Sequence, residues 1–333
     1  MKTSLVITTI NKPNNNIRLF SKNSKKNKWD FIVIGDKKTP KNFKIKYGSY
    51  FNLNSQKKLS YEFAKKCPIN SYARKNIGYL LSIKNKSDVI VETDDDNHPK
   101  KNFFEKKILT HSVKEIKNKS WVNIYDLFTK NKKKIWPRGL PLDYIDKNKI
   151  KLNQKKTQKF YLQQGVCENN PDVDAIYRLI NNKINIKFKN NYFVSLGKSL
   201  SPFNSQNTIW FKKIFPLMYL PVTCTMRSSD ILRSLICLKI LMNDKKKILF
   251  FGTTMAQNRN QHNLYKDFED EIDLYLNNKK IINSILNVNL KIGEKNYLSN
   301  ILECYKILIK KNFIHQNELK YLRAWMSDMK RLY

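Results

Sequence analysis

The chain has 333 residues, with 64 Lys and Arg against 27 Asp and Glu, a formal net charge of +37 and 41% hydrophobic residues. That apolar share supports a packed core and excludes a disordered polybasic tail, while the length admits one large domain or two of about 100–200 residues. No apolar run reaches the ~18 residues of a membrane span, and five dispersed cysteines without a C-x-x-C pair carry no zinc signature and fit reduced thiols in a cytosol.

The lysines are spread along the chain ("SKNSKKNK", "TKNKKK", "NDKKK"), and Gly is only 8, the composition of an AT-rich genome. The basic surface therefore reads as compositional bias that also suits phosphate, and attraction to an anionic membrane face fits the same charge. Nucleic-acid binding has charge alone behind it, without a helix-turn-helix, zinc finger or RNP-type aromatic motif. The first residues, "MKTSLVITTI", lack a long apolar core and a small-residue cleavage site. They read as a strand and not a signal peptide, which predicts a cytoplasmic protein, peripheral at most at the inner membrane face.

In chain order, residues 4–10 ("SLVITTI") and 29–35 ("WDFIVIG") predict two short strands, the second ending in Gly35-Asp36. Residues 71–84 predict a helix with Ala73, Ile77, Leu80, Leu81 and Ile83 near one side, and residues 88–93 a buried strand. Apolar runs separated by helices predict a mixed, mostly parallel α/β sheet, in which ligands sit beyond the carboxyl ends of the strands. Residues 136–145 ("WPRGLPLDYI") predict a constrained loop. After Asn263, "LYKDFEDEIDLYL" places Leu264, Phe268, Ile272, Tyr275 and Leu276 at helical spacing. "YLSNILECYKILIKKN" and "ELKYLRAWMSDMKRL" repeat the pattern, predicting a helical region over 264–333 packed on an α/β body over 1–263.

The segment "VIVETDDDNHP" (89–99) gathers Glu92, Asp94, Asp95 and Asp96, four of the 27 acids, into five positions. Adjacent carboxylates repel, so the cluster needs solvent, a helix N-terminus or a cation. An acidic turn capping a helix, with Asp96 or Asn97 as N-cap, meets that need. So does a divalent ion, because an apolar strand would deliver a D-x-D rigidly to a sheet edge. Hard oxygen ligands suit Mg²⁺ or Mn²⁺, which would bridge to a diphosphate.

The sequence resembles the STELLO glycosyltransferase-like family over nearly its whole length. The resemblance is carried in order by "VITTI" (6–10), "VIGDKKTP" (33–40), "YARKNIGYL" (72–80), "VETDDDN" (91–97), "PRGLPLDYI" (137–145), "NPDVDAIYRL" (170–179), "RSSDILRS" (227–234) and "QNRNQHN" (257–263). It is more distantly similar to the reversibly glycosylated polypeptides, which include the UDP-arabinopyranose mutases. The resemblance implies a GT-A-like fold and metal-dependent transfer of a sugar from a nucleoside diphosphate sugar, UDP-sugar favoured, to an unknown glycan, lipid-linked or small-molecule acceptor.

It further implies that Thr8, Thr9, Asn11, Asp36 and Lys37 cradle base and ribose, and that Arg74 and Lys75 meet base or phosphates. Asp94 and Asp96 with His262 would hold the metal, with Asp95 on sugar or ribose and Arg259 on the diphosphate. Asp230 would be the catalytic base, and Arg227 near it would bind substrate. Asp172 and Asp174 would shape the sugar wall, with a structural turn as the alternative, and Arg138 would contact sugar or phosphate. In the reversibly glycosylated relatives the arginine of this loop is itself glycosylated, but "RGLPLDY" lacks the second arginine that follows there. Self-glycosylation on Arg138 and a scaffold role in polysaccharide synthesis stand as the other two readings.

Overall fold

A computed structural model of the chain describes residues 1–130, 134–147, 149–181, 184–260 and 263–333. In chain order the first half contains β1 (Thr3–Thr9), α1 (Asn15–Lys26), β2 (Asp30–Gly35), β3 (Ser49–Phe51), α2 (Leu53–Lys57), α3 (Glu62–Lys66), α4 (Lys75–Lys84), β4 (Val89–Thr93), β5 (Asn97–Pro99), β6 (Thr110–Glu115) and α5 (Tyr125–Phe128). The second half contains β7 (Lys156–Lys159), β8 (Leu162–Asn169), α6 (Ala175–Ile180), β9 (Phe193–Ser195), β10 (Asn207–Phe211), α7 (Met226–Asn243), β11 (Ile248–Gln257), α8 (Leu264–Leu286), α9 (Tyr297–Lys310) and α10 (Glu318–Leu332).

The strands form one mixed sheet in the order β3-β2-β1-β4-β10-β8-β11-β9-β6-β7, with β5 paired to β11. From β3 to β4 all pairings are parallel, as the apolar runs predict. β10 then enters antiparallel between β4 and β8, and β8 pairs in parallel with β11. Two reversals restore the direction, so β1, β2, β4, β8 and β11 all run the same way. Their carboxyl ends lie along one edge, the place where open α/β sheets bind ligands. Among the described residues no helix is long and apolar enough to cross a membrane.

Alternation along β4 divides the core. Val89 and Val91 face the cluster that α1 covers with Ile17 and Phe20. Ile90 faces the larger cluster built by α4, α7, α9 and α10. Successive side chains of a strand point to opposite faces, so Glu92 also belongs on the second face. There it meets Arg233 of α7 instead of joining the acid triplet.

The expected C-terminal helices are present, and the first of them, α8, starts at the boundary expected for the body, after its N-cap Asn263, although no break in packing marks it. One core cluster runs across that boundary, from Leu235 on α7 to Ile282 on α8 and Tyr305 on α9. The periodicity of α8 differs in orientation from the expectation. Its buried positions are Asp267, Glu271, Leu274, Asn278, Ile281, Ile282 and Ile285, while Ile272 and Leu276 are exposed. The physical reason is that buried arginines on neighbouring elements supply partners for Asp267 and Glu271.

α10 is tied at both ends. Glu318 is fully buried and accepts from the N–H groups of Val222 and Thr223 at 3.0 and 2.7 Å. Asp328 accepts from the N–H groups of Glu62 and Phe63, capping α3. Replacing Glu318 by Ala should leave those donors unpaired and cost about 1–3 kcal/mol, measured as a lower urea midpoint at unchanged slope. An unchanged midpoint would mean that this acid does not tie α10 to the loop before α7.

Candidate active site

The five strand ends open onto a cleft of about 560 Å³. Its wall carries Thr8, Thr9 and Asn11 after β1, Asp36 and Lys38 after β2, the acid triplet after β4, and Asp172 after β8. Arg259 comes from the segment after β11, Arg138 from the "PRG" loop, and Arg227 and Asp230 from the first turns of α7. Six carboxylates (Asp36, Asp94, Asp95, Asp96, Asp172, Asp230) face five cations (Lys38, Arg74, Arg138, Arg227, Arg259) in this lining, within a chain of net charge +37. The cleft therefore does not share the excess of positive charge found elsewhere.

The three adjacent acids lead separate lives. Asp94 accepts from Tyr72 Oη and from Lys75 Nζ, both at 3.0 Å. Burial pushes its carboxyl up while Lys75 pulls the other way, leaving it above the usual range. Asp95 accepts from Thr9 Oγ1 at 2.5 Å and Asn11 Nδ2 at 3.0 Å, and its own carbonyl accepts from Asn14. Asp96 accepts through Oδ2 from Gln257 Nε2 at 3.0 Å and from the Asn260 N–H at 3.4 Å. Its Oδ1 is buried and has no hydrogen-bond partner among the described residues. Burial, reinforced by the charge of Asp94, raises the Asp96 carboxyl to about 6. A buried carboxylate oxygen without a donor is costly and fits a cation. Among the described residues no group of three or more His, Cys, Asp and Glu side chains forms a metal cage. Mg²⁺ commonly takes one or two carboxylates and completes its shell with water and substrate phosphate.

Beside the triplet runs a network of alternating charge. Arg138 donates from Nε and Nη2 to the two oxygens of Asp172 at 2.9 and 2.7 Å. It donates from Nη1 and Nη2 to the two oxygens of Asp230 at 3.0 and 3.1 Å, and from Nη1 to the Arg227 carbonyl. All five of its N–H groups are thereby engaged. Gly139 follows at φ +88, and a Cβ there would meet Ile231 of α7 at 2.5 Å, so the glycine lets the loop bring Arg138 onto α7.

Arg227 donates to Glu271 at 2.7 Å and lies 3.7 Å from Asp172, and Arg259 pairs with Asp267 at 2.5 Å. Burial and the neighbouring Arg227 lower the Arg259 guanidinium, an environment that an anion would relieve. Burial pushes the Asp172 carboxyl up, but Arg138 and Arg227 more than offset it and hold it below the usual range. A carboxyl with a depressed folded pKa contributes stability that is present above its unfolded value and lost as pH falls through the folded one. Stability should thus fall as pH drops below about 4, and Asp172→Asn should flatten that part of a denaturation-midpoint profile. An unchanged slope would remove Asp172 from the acid response.

Several expected site residues are placed differently. Arg74 reaches the cleft lining, but its guanidinium donates to Gln56 and to the Cys67 and Pro68 carbonyls, so it braces the wall. Lys75 is buried and pairs with Asp94. Lys38, and not Lys37, lines the cleft. Asp174 is fully buried, caps α6 through the Tyr177 N–H and accepts from the Trp136 indole, which is the structural-turn alternative. The Asp36 carboxylate accepts from the N–H groups of Lys37, Asn70 and Ser71, joining two loops of the wall. His262 lies outside the described residues. Tyr72, Ser205, Gln257, Asp267 and Glu271 escaped the sequence reading. Of these, Tyr72 carried a signal, standing three residues before Lys75 and so on its helical face.

Residues 227–333, from the first turn of α7 onward, match the family model of the STELLO glycosyltransferases. The last third of this chain is thus similar to the STELLO glycosyltransferases. Two Arabidopsis thaliana proteins named probable glycosyltransferase STELLO2 and STELLO1 are each 26% identical to it over 325 residues. Those matches cover 90% of this chain and 41% of each relative, so the chain spans about two-fifths of the curated STELLO proteins it matches. The matched third supplies Arg227, Asp230 and Arg259 of the cleft, and Glu271 and Asp267, which pair with the two arginines behind it.

Proposed function

We propose that the chain is a divalent-metal-dependent glycosyltransferase that uses a nucleoside diphosphate sugar, UDP-sugar favoured, by single displacement. The observation that carries this reading is Asp96 Oδ1, a buried carboxylate oxygen without a donor among the described residues, set in a cleft where cations and acids nearly balance. A diphosphate alone would meet the carboxylates; with Mn²⁺ or Mg²⁺ it would not. Asp96 would hold the ion, and Asp94 would help to fix the charge around it. When bound, the metal supplies Lewis-acid stabilisation of the leaving diphosphate.

The chain's own residues do the rest. Thr9 and Asn11 hold Asp95 in place, and Thr8 and the Asp36 turn form the wall for base and ribose. Arg227 and Arg259 face the charge that builds on the leaving nucleotide. Asp230 Oδ2 is saturated by Arg138 and by the Ser205 N–H and Oγ, while Oδ1 accepts only from Arg138 and keeps a lone pair. That oxygen would take the acceptor hydroxyl's proton as the new C–O bond forms and the sugar–phosphate bond breaks. Arg138, with every N–H donated, is not disposed to become a sugar acceptor. Added UDP-sugar should leave the protein unlabelled.

The test is calorimetric titration of UDP and of GDP, each with Mn²⁺ and with EDTA. Mn²⁺-dependent binding of UDP supports the reading. Binding of neither nucleotide to demonstrably folded protein would overturn it in favour of a non-catalytic scaffold.

A further inference from the structure

Over its first half α8 is inverted for a surface helix, while its second half buries Ile281, Ile282 and Ile285 in the core. Its inner face carries Asp267 and Glu271, which hold Arg259 and Arg227, together with Leu274 and Asn278. Its outer face carries Tyr265, Ile272 and Leu276, exposed by 78, 38 and 63%, with Phe268 half-buried beside them. These positions recur at helical spacing and form a stripe about 16 Å long at 1.5 Å per residue. The Ile176 N–H donates to Tyr275 Oη, which sets α6 alongside. A surface helix ordinarily turns its apolar face to the core, so this arrangement calls for a cover.

The charges beside the stripe say which cover. The exposed acids Glu269 and Asp273 and the half-buried Asp270 lie in the first half of α8 with the one cation Lys266, and no acid follows Asp273 in the helix. Lys279 and Lys280 lie in the second half. The surface pairs of this region, Lys266 with Glu269 and Lys279 with Asp143, are exposed and cost little to exchange. An antiparallel copy of the same helix would set the acidic half of each against the basic half of the other, with the apolar stripes between. An anionic lipid surface or a nucleic acid would instead meet Glu269 and Asp273 directly.

We propose that the outer face of α8 is a self-association surface on which a second copy of this chain lays its own α8, antiparallel, about a two-fold axis. Such an interface is isologous, so one patch serves both partners. The pairing also buttresses the cleft, because the opposite face of the same helix holds Arg227 and Arg259. The surface does not depend on the transferase reading.

The test is sedimentation velocity of the full chain over a wide range of concentration. Wild type should show a concentration-dependent dimer, and Ile272→Glu or Leu276→Glu should weaken it by at least about 30-fold, the size of a hot-spot loss. Both positions are exposed, so circular dichroism should be unchanged. The orientation has its own test. Glu269→Lys with Asp273→Lys, and separately Lys279→Glu with Lys280→Glu, should each give monomers, and mixing the two variants should give a heterodimer. Monomer at every concentration would overturn the proposal, as would a dimer indifferent to Ile272→Glu. A monomer whose flotation with phosphatidylglycerol vesicles needs Ile272 would also overturn it and make the patch a lipid contact.

Discussion

Asp96→Asn is expected to abolish Mn²⁺-dependent nucleotide binding, with a loss beyond the ~10–100-fold that changes around a metal's outer shell produce. Asn keeps the shape of the side chain and its contact with the Asn260 N–H. It removes the charge that an ion requires. The same change should not harm the fold, because the carboxylate it replaces is buried, crowded by Asp94 and left with an oxygen that nothing among the described residues donates to. Calorimetry and thermal melting on one preparation therefore separate the two roles. Binding lost with the melting midpoint kept or raised marks a ligand position. Binding kept, with Mn²⁺ still required, would put the ion elsewhere and reduce Asp96 to a structural acid. Asp95→Asn is the informative neighbour, because Asp95 already accepts from Thr9 and Asn11; its loss should loosen the loop and weaken binding less.

Arg233→Ala is expected to destabilise the protein by about 3–5 kcal/mol, the usual result of leaving one buried charge without its partner. Arg233 and Glu92 are 1 and 0% exposed and pair at 2.8 Å. Trp210 donates its indole N–H to Glu92 at 2.7 Å, and Tyr79 donates its hydroxyl to the same carboxylate. The guanidinium also lies over the Trp210 ring, 5.0 Å from its centroid. Because α7 is held to β4 immediately before the acid triplet, the loss should reach the cleft as weaker nucleotide binding. Replacing the pair together, by Glu92→Leu with Arg233→Met, should recover much of the stability, since hydrophobic residues of similar volume commonly substitute for a buried ion pair. Chemical denaturation of the two variants decides it. An Arg233→Ala midpoint equal to wild type would mean that Glu92 is held by Tyr79 and Trp210 alone.

Much of the architecture was legible in local pattern. Apolar runs and turn residues located β1, β2 and β4 to within a residue or so, and the convergence of their carboxyl ends follows from parallel pairing. Helical spacing found α8, α9 and α10. What spacing could not reveal was which way α8 faces. Its apolar positions repeat as a buried face would, yet Asp267 and Glu271 turn inward, because Arg259 and Arg227 arrive from other elements to meet them. An amphipathic pattern reports that residues share a face. The charge partners that decide which face is buried are distant in sequence.

The same distinction runs through the cleft. Sequence by itself determined that an apolar strand ends in three acids, that a proline-glycine loop carries Arg138, and that Asp172, Asp230 and Arg259 belong to the same constellation. Those are local chemistries joined by a family likeness. Only the tertiary structure decided that Glu92 leaves the acid cluster for Arg233, that Asp174 is a helix cap, that Arg74 braces a wall, and that Arg138 binds two carboxylates at once. It also decided that of the three adjacent acids Asp96 alone keeps a buried oxygen without a donor among the described residues. The physical reason is that a carboxylate's role is set by the donors that reach it. Gln257 is 161 residues from Asp96, and Arg233 is 141 residues from Glu92. No local rule of spacing or propensity spans those distances; the sheet order and the packing of α7 and α8 do.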